Sequence, residues 1–282
     1  MFISNQQIGR IMKIKKYLLL YFISAVLITI FTSCSSVPIT GRSQLDIIPD
    51  NEMLSMSFSQ YNDFLKSNKE STNRKDIAMV TRVGTNIANA VEKYFKDNNL
   101  SSQLNGYKWE FHLIDSKEAN AWCMPGGKVV VYTGILPITK TEAGLAVVLG
   151  HEIAHAVAKH GNERMSQALI TQLGGVALSK AIENKPSETQ SIFMAAYGIG
   201  SQVGVLLPFS RVQESEADHL GLIFMAIAGY NPNEALDFWQ RMAVATQGQA
   251  PPEFLSDHPS NQTRINEIKN EIPEAMKYYG KK

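Results

Sequence analysis

The sequence predicts a mostly helical α+β domain with one small sheet. Three observations carry this expectation. Apolar residues recur at helical spacing from Ile77 through Val80, Val83 and Ile87 to Val91. Two short segments, 107–115 and 128–133, instead have strand character: the first alternates and the second is rich in Val and Tyr. The second half of the chain returns to helical patterns punctuated by Gly and Pro. With 282 residues and 44% hydrophobic content, the chain can bury a sizeable core. Charge is balanced, 27 Lys plus Arg against 26 Asp plus Glu. The absence of a basic stripe or an Arg/aromatic alternation argues against a nucleic-acid partner. Two cysteines, Cys34 and Cys123, exclude a disulfide framework and a cysteine-based zinc site.

The elements follow in order. Lys13, Lys15 and Lys16 precede an uncharged stretch, and its apolar run from Tyr17 to Phe31 is short for a membrane span. Residues 1–33 therefore read as a secretory signal, with 1–11 a start-site artefact because Met12 is the tidier start. Phe31-Thr32-Ser33-Cys34 resembles a bacterial lipobox, with Phe31 where Leu is usual. Cys34 is then a lipidation site, and several acyl chains on it would hold the protein stably on a membrane. No acidic residue follows until Asp46, which favours an outer membrane facing the periplasm. Residues 34–50 read as a lipidated tether. Helices are expected over 51–67 and 76–97. The strand at 107–115 turns Trp109, Phe111 and Leu113 to one side. A turn at Met124-Pro125-Gly126-Gly127 leads into the strand at 128–133.

A helix is expected next, opened by a capping box of Thr139 and Glu142 and stopped by Gly161. Residues 162–210 are mostly helical and poor in charge, and Ile192 to Pro208 carries none. A helix over 212–228 ends at Gly229, and another begins at Pro232. Residues 248–262 form a Pro-containing loop, and a last helix spans 261–279. These elements make residues 51–282 a single domain.

The chemistry is concentrated in His151-Glu152-Ile153-Ala154-His155. On a helix, positions i and i+4 share a face, so both imidazoles reach one metal ion. Glu152, one step round, is within reach of a metal-bound water and suits a general base. Glu214-Ser215-Glu216-Ala217-Asp218 supplies a third ligand in Glu214. Two histidines and a carboxylate with a fourth position open is a catalytic zinc arrangement, one ion per chain. Asp218, four residues on, can accept the proton of the far nitrogen of a ligand histidine. Arg211 can brace this carboxylate cluster or contact substrate. Glu216 points about 200° away from Glu214 and reads as a solvated surface acid. His160 reads as a partner of the helix C-terminus, His219 as structural or exposed, and Cys123 as a small buried hydrophobe.

HEIAH followed by SRVQESEADHLG resembles the metallopeptidase family that includes HtpX, the CAAX prenyl endopeptidase and the mitochondrial Oma-type protease. Asn120-Ala121 before the glycine turn, GKVVVYTGIL, AGYNP and His258-Pro259 are similar to its soluble lipoprotein branch. The resemblance covers residues 36–270. It implies a zincin-like, gluzincin-type core with the HExxH helix beside a small sheet. It implies an endopeptidase that cuts membrane-associated or misfolded proteins in quality control, with protein or peptide substrates. By the same resemblance, substrate lies as an added strand against the sheet near Asn120, Ala121, Val129 and Val131. His258 is then a fourth zinc ligand that closes the site, a stabiliser of the tetrahedral intermediate, or a surface loop histidine. A non-cutting, zinc-stabilised lipoprotein that assists envelope assembly is the rival function, and Glu152 argues against it. Oligomeric state is not legible in the sequence.

Overall fold

The computed structural model describes residues 15, 17, 34–37, 40–172, 176–199, 210–245, 254–255, 258 and 262–281. The expected signal segment lies almost wholly outside these. Residues 34–50 are not a free tether. Strand β1 (Cys34–Ser36) pairs antiparallel with β2 (Ser43–Leu45), placing Cys34 opposite Leu45. The Gln44 amide donates to the carbonyl of Ala158 at 3.0 Å, which binds the hairpin to the domain.

Helices α1 (Asp50–Ser67) and α2 (Arg74–Asp97) follow. Helix α2 starts where Asn73 caps the backbone N–H groups of Lys75 and Asp76. Three strands form the main sheet: β3 (Glu110–Ile114), β4 (Ala121–Met124) and β5 (Lys128–Tyr132). Their order is β3-β5-β4, with β3 parallel and β4 antiparallel to β5. The β4–β5 hairpin turns through Gly126 (φ +81°) and Gly127 (φ +77°), conformations that side chains rarely adopt. The sequence does not show β4, because all four of its residues are buried and no alternation marks it.

The sheet divides the interior by parity. Cys123, Val129 and Val131 face one core, whereas Trp122, Met124 and Val130 face a second. The first core is closed by α2 together with α4 (Glu142–Val157), α8 (Arg211–Ile227), α9 (Glu234–Ala245) and α10 (Gln262–Ala275). The short α3 (Leu136–Thr139) precedes α4. The second core is closed by α1, α5 (His160–Thr171), α6 (Leu178–Asn184) and α7 (Pro186–Ala196). The result is the mostly helical, zincin-like α+β architecture expected.

Two boundaries differ from expectation. The cap of α4 is Thr141, which accepts from the N–H of Gly144, and Thr139 instead ends α3. Helix α4 stops at Val157, because Lys159 adopts a left-handed φ of +61° and α5 begins at His160. The charge-poor stretch beyond α5, where described, packs as α6 and α7 in the second core. Among the described residues, no helix is long and apolar enough to cross a membrane.

Candidate metal centre and active site

Helices α4 and α8 cross where Gly150 meets Gly221. A Cβ on Gly221 would stand 2.9 Å from both the Gly150 carbonyl carbon and the His151 nitrogen. Two glycines thus let the backbones touch beside the first histidine of the motif. The close approach brings Glu214 to His151 and His155, although it is 59 residues beyond His155 in sequence. Helix α8 is fixed at its start by Ser210 and Gln213, which form a reciprocal capping box.

Four buried side chains converge. His151, His155, Glu214 and His258 each bring one donor atom to within 4.8 Å of the others. His155 Nε2 stands 3.0 Å from His151 Nε2 and 3.3 Å from Glu214 Oε1. His258 Nδ1 lies 3.1 Å from His151 Nε2 and 2.8 Å from Glu214 Oε1. Asp218 Oδ1 is 3.0 Å from His151 Nδ1, so the proton of that ring is directed at Asp218 and the lone pair of Nε2 turns inward. Burial pushes the His151 and His155 imidazoles below their usual pKa, which keeps them neutral. Neutral nitrogens converging on a carboxylate are the donors of a zinc site, where nitrogens about 2.0–2.1 Å from the ion stand about 3.3 Å apart. The residues present therefore fit one zinc ion.

Glu152 is buried beside this cluster, with Oε1 3.4 Å from His258 Nε2. Arg264 of α10 completes the electrostatics, and sequence reasoning missed it. Its Nη2 and Nε donate to Asp218 at 2.8 and 2.7 Å, its Nη1 reaches Glu214 Oε2 at 2.5 Å, and its guanidinium stacks 3.9 Å over Trp239. Burial opposes ionisation of both carboxylates. The charge of Arg264 outweighs it and holds Asp218 below its usual pKa and Glu214 well below. Arg211, expected to brace this cluster, is the first residue of α8 and is exposed.

Other expectations are corrected. Glu216 is not a solvated acid but buried, receiving Thr40 Oγ1 and Arg42 Nε at 2.5 Å each. Its burial opposes the charge, but hydrogen bonds from His160, Thr40 and Arg42 prevail and hold its pKa at about 2. His160 is not a helix-end partner. It is fully buried, with Nδ1 2.9 Å from His155 Nδ1 and Nε2 3.3 Å from Glu216 Oε2. Val129 and Val131 lie on β5, the centre of the sheet, where no strand can be added. The edge beside α4 is β4, which holds Ala121 and is entered from the buried Asn120. Cys123 is buried, and burial raises its thiol pKa well above the usual value. His219 pairs with Glu271 at 3.3 Å.

The profile of peptidase family M48 matches residues 84–272. The chain belongs to peptidase family M48. Mitochondrial metalloendopeptidase OMA1 of Schizosaccharomyces pombe is 42% identical over 177 residues, 62% of this chain and 50% of that protein. Mitochondrial metalloendopeptidase OMA1 of Saccharomyces cerevisiae is 31% identical over 278 residues, 94% of this chain and 76% of that one. The Beta-barrel assembly-enhancing protease of Yersinia pestis is 28% identical over 183 residues, 61% and 37% of the two chains. The M48 chain thus spans about half the length of its fission-yeast relative. Membership of a metallopeptidase family and the donor set agree on a site for one zinc ion. The matches also correct the expected location. Relatives named mitochondrial extend through fungi, a plant and vertebrates at 30–42% identity. The bacterial outer membrane read from the Cys34 pattern is therefore not supported.

Proposed function

We propose that the chain is a zinc-dependent endopeptidase of protein quality control, cutting misfolded or membrane-associated proteins. The observation that carries this reading is the convergence of His151, His155 and Glu214 beside a buried Glu152. His151, His155 and Glu214 would hold the ion. Zinc, when bound, supplies a water of lowered pKa and polarises the scissile carbonyl. Glu152 takes the proton of the attacking water and delivers it to the leaving amine. Asp218 orients His151, and Arg264 keeps Asp218 and Glu214 ionised. Substrate lies along the β4 edge from Asn120 and Ala121, where main-chain pairing gives affinity without demanding a sequence.

His258 sits among the donors and against Glu152, which favours the closed-site role over that of a surface histidine. Four protein donors leave no open position for water. His258→Ala then raises basal cleavage or self-cleavage of the purified protein. Stabilisation of the tetrahedral intermediate would instead produce a fall of about 10²-fold or more with zinc retained.

The base is tested by Glu152→Gln, which should keep zinc and fold while cleavage of denatured casein drops by about 10²–10⁴-fold. Undiminished chelator-sensitive cleavage by this variant would sink the mechanism.

A further inference from the structure

The second metal-binding histidine has a support that neither the motif nor the mechanism uses. His155 can offer its Nε2 lone pair to an ion only if its proton is on Nδ1. That proton faces His160 Nδ1 at 2.9 Å, so His160 Nδ1 accepts. His160 must then carry its own proton on Nε2, which points at Glu216 Oε2, 3.3 Å away. Glu216 in turn receives Thr40 and Arg42. Arg42 spans to Glu163 at 2.9 Å, and Glu163 also receives the Gln213 amide at 2.8 Å. Every proton in the chain from Arg42 to His155 is assigned by its neighbour.

Local backbone geometry makes this possible. On an unbroken helix His160 would point roughly 140° away from His155. The left-handed turn at Lys159 restarts the helix and returns the ring to His155. Lys159 is itself held by Asp46 at 3.3 Å and Asp50 at 2.6 Å. Thr40, Arg42, Asp46 and Asp50 all precede residue 84, where the match to the family profile begins.

We infer that His160 is a positioning residue for His155, and that the β1–β2 hairpin is built into the metal centre through Arg42 and Glu216. The arrangement repeats on His155 what Asp218 and Arg264 do for His151, with an extra imidazole in the line. The inference rests on the zinc-peptidase reading and concerns metal affinity, which can be measured without cleavage.

The test uses the full purified chain, with zinc affinity read by competition against a fluorescent chelator. His160→Phe keeps the bulk but offers no acceptor, and should weaken zinc binding by about 10–100-fold. His160→Asn places a carbonyl oxygen near the lost Nδ1 and should recover most of that loss. Visible absorption of the cobalt-loaded protein should shift in the Phe variant and return toward wild type in the Asn variant. Melting of the metal-free proteins separates packing from positioning, because both variants lose imidazole packing. Arg42→Met, which leaves His160 in place, should weaken zinc in the same direction and carries the test if His160→Phe does not fold. Wild-type zinc affinity in His160→Phe, or in Arg42→Met where the former is insoluble, overturns the inference. So does an Asn variant as weak as the Phe variant. A wild-type chain that binds no zinc refutes the zinc reading instead.

Discussion

Arg264 sets the charge balance of the metal centre. Glu214 and Asp218 are buried carboxylates one helical turn apart, and a guanidinium between them is what keeps both ionised. In the zinc-free protein, Arg264→Met should cost about 3–5 kcal/mol in urea unfolding, because two buried charges lose their partner. A loss below about 1 kcal/mol would show that the carboxylates find relief elsewhere. Glu216 makes a pH prediction. Its folded pKa of about 2 lies below the ordinary 4.5, so its contribution is complete above pH 4.5 and is lost as pH falls toward 2. Glu216→Gln should therefore flatten the stability profile in that window, as read by acid titration of the circular dichroism signal. Ligands within one helix were legible because i, i+4 spacing is a local rule. Arg264 was not, since it lies 46 residues beyond Asp218 on another helix. Arg211 stands three residues before Glu214, a spacing that suggests a shared face, but at the first position of α8 it is exposed.

At the scale of elements, the sequence showed the helices better than the sheet or the joints. Helix α2 has a polar face toward solvent, so its stripe is visible, and it spans Arg74–Asp97 against an expectation of 76–97. Strand β4 is buried on both faces and adjoins a glycine turn, so no period betrays it. The break between α4 and α5 was invisible because Lys159 carries no helix-stopping signature, and its left-handed turn is held by Asp46 and Asp50 from far upstream. The α4–α8 crossing rests on Gly150 and Gly221, each of which reads alone as a tolerated helix glycine. Gly221→Ala puts a methyl group against backbone that cannot rotate aside. It should cost about 1–3 kcal/mol and reduce the zinc retained on purification, checked by thermal melting and metal analysis. Full zinc occupancy with an unchanged melt would mean that the helices separate freely.

At the scale of the whole molecule, the candidate ligands come from α4, α8 and the segment before α10, so the ion joins parts of the chain that are distant in sequence. A ligand that binds only the folded form adds stability by mass action, about 1.4 kcal/mol for each tenfold rise in free zinc above its dissociation constant. Melting temperature should climb with free zinc and fall on chelation, and a zinc-independent melt would count against the site. The backbone contact at Gly150 and Gly221 has one more consequence. Helices separated by side chains can slide, because rotamers absorb the displacement, whereas helices in backbone contact have no such slack. The backbones that carry His151, His155 and Glu214 are thus held at one separation. In the closed-site reading proposed above, the change that admits water therefore falls on the fourth position, beside His258.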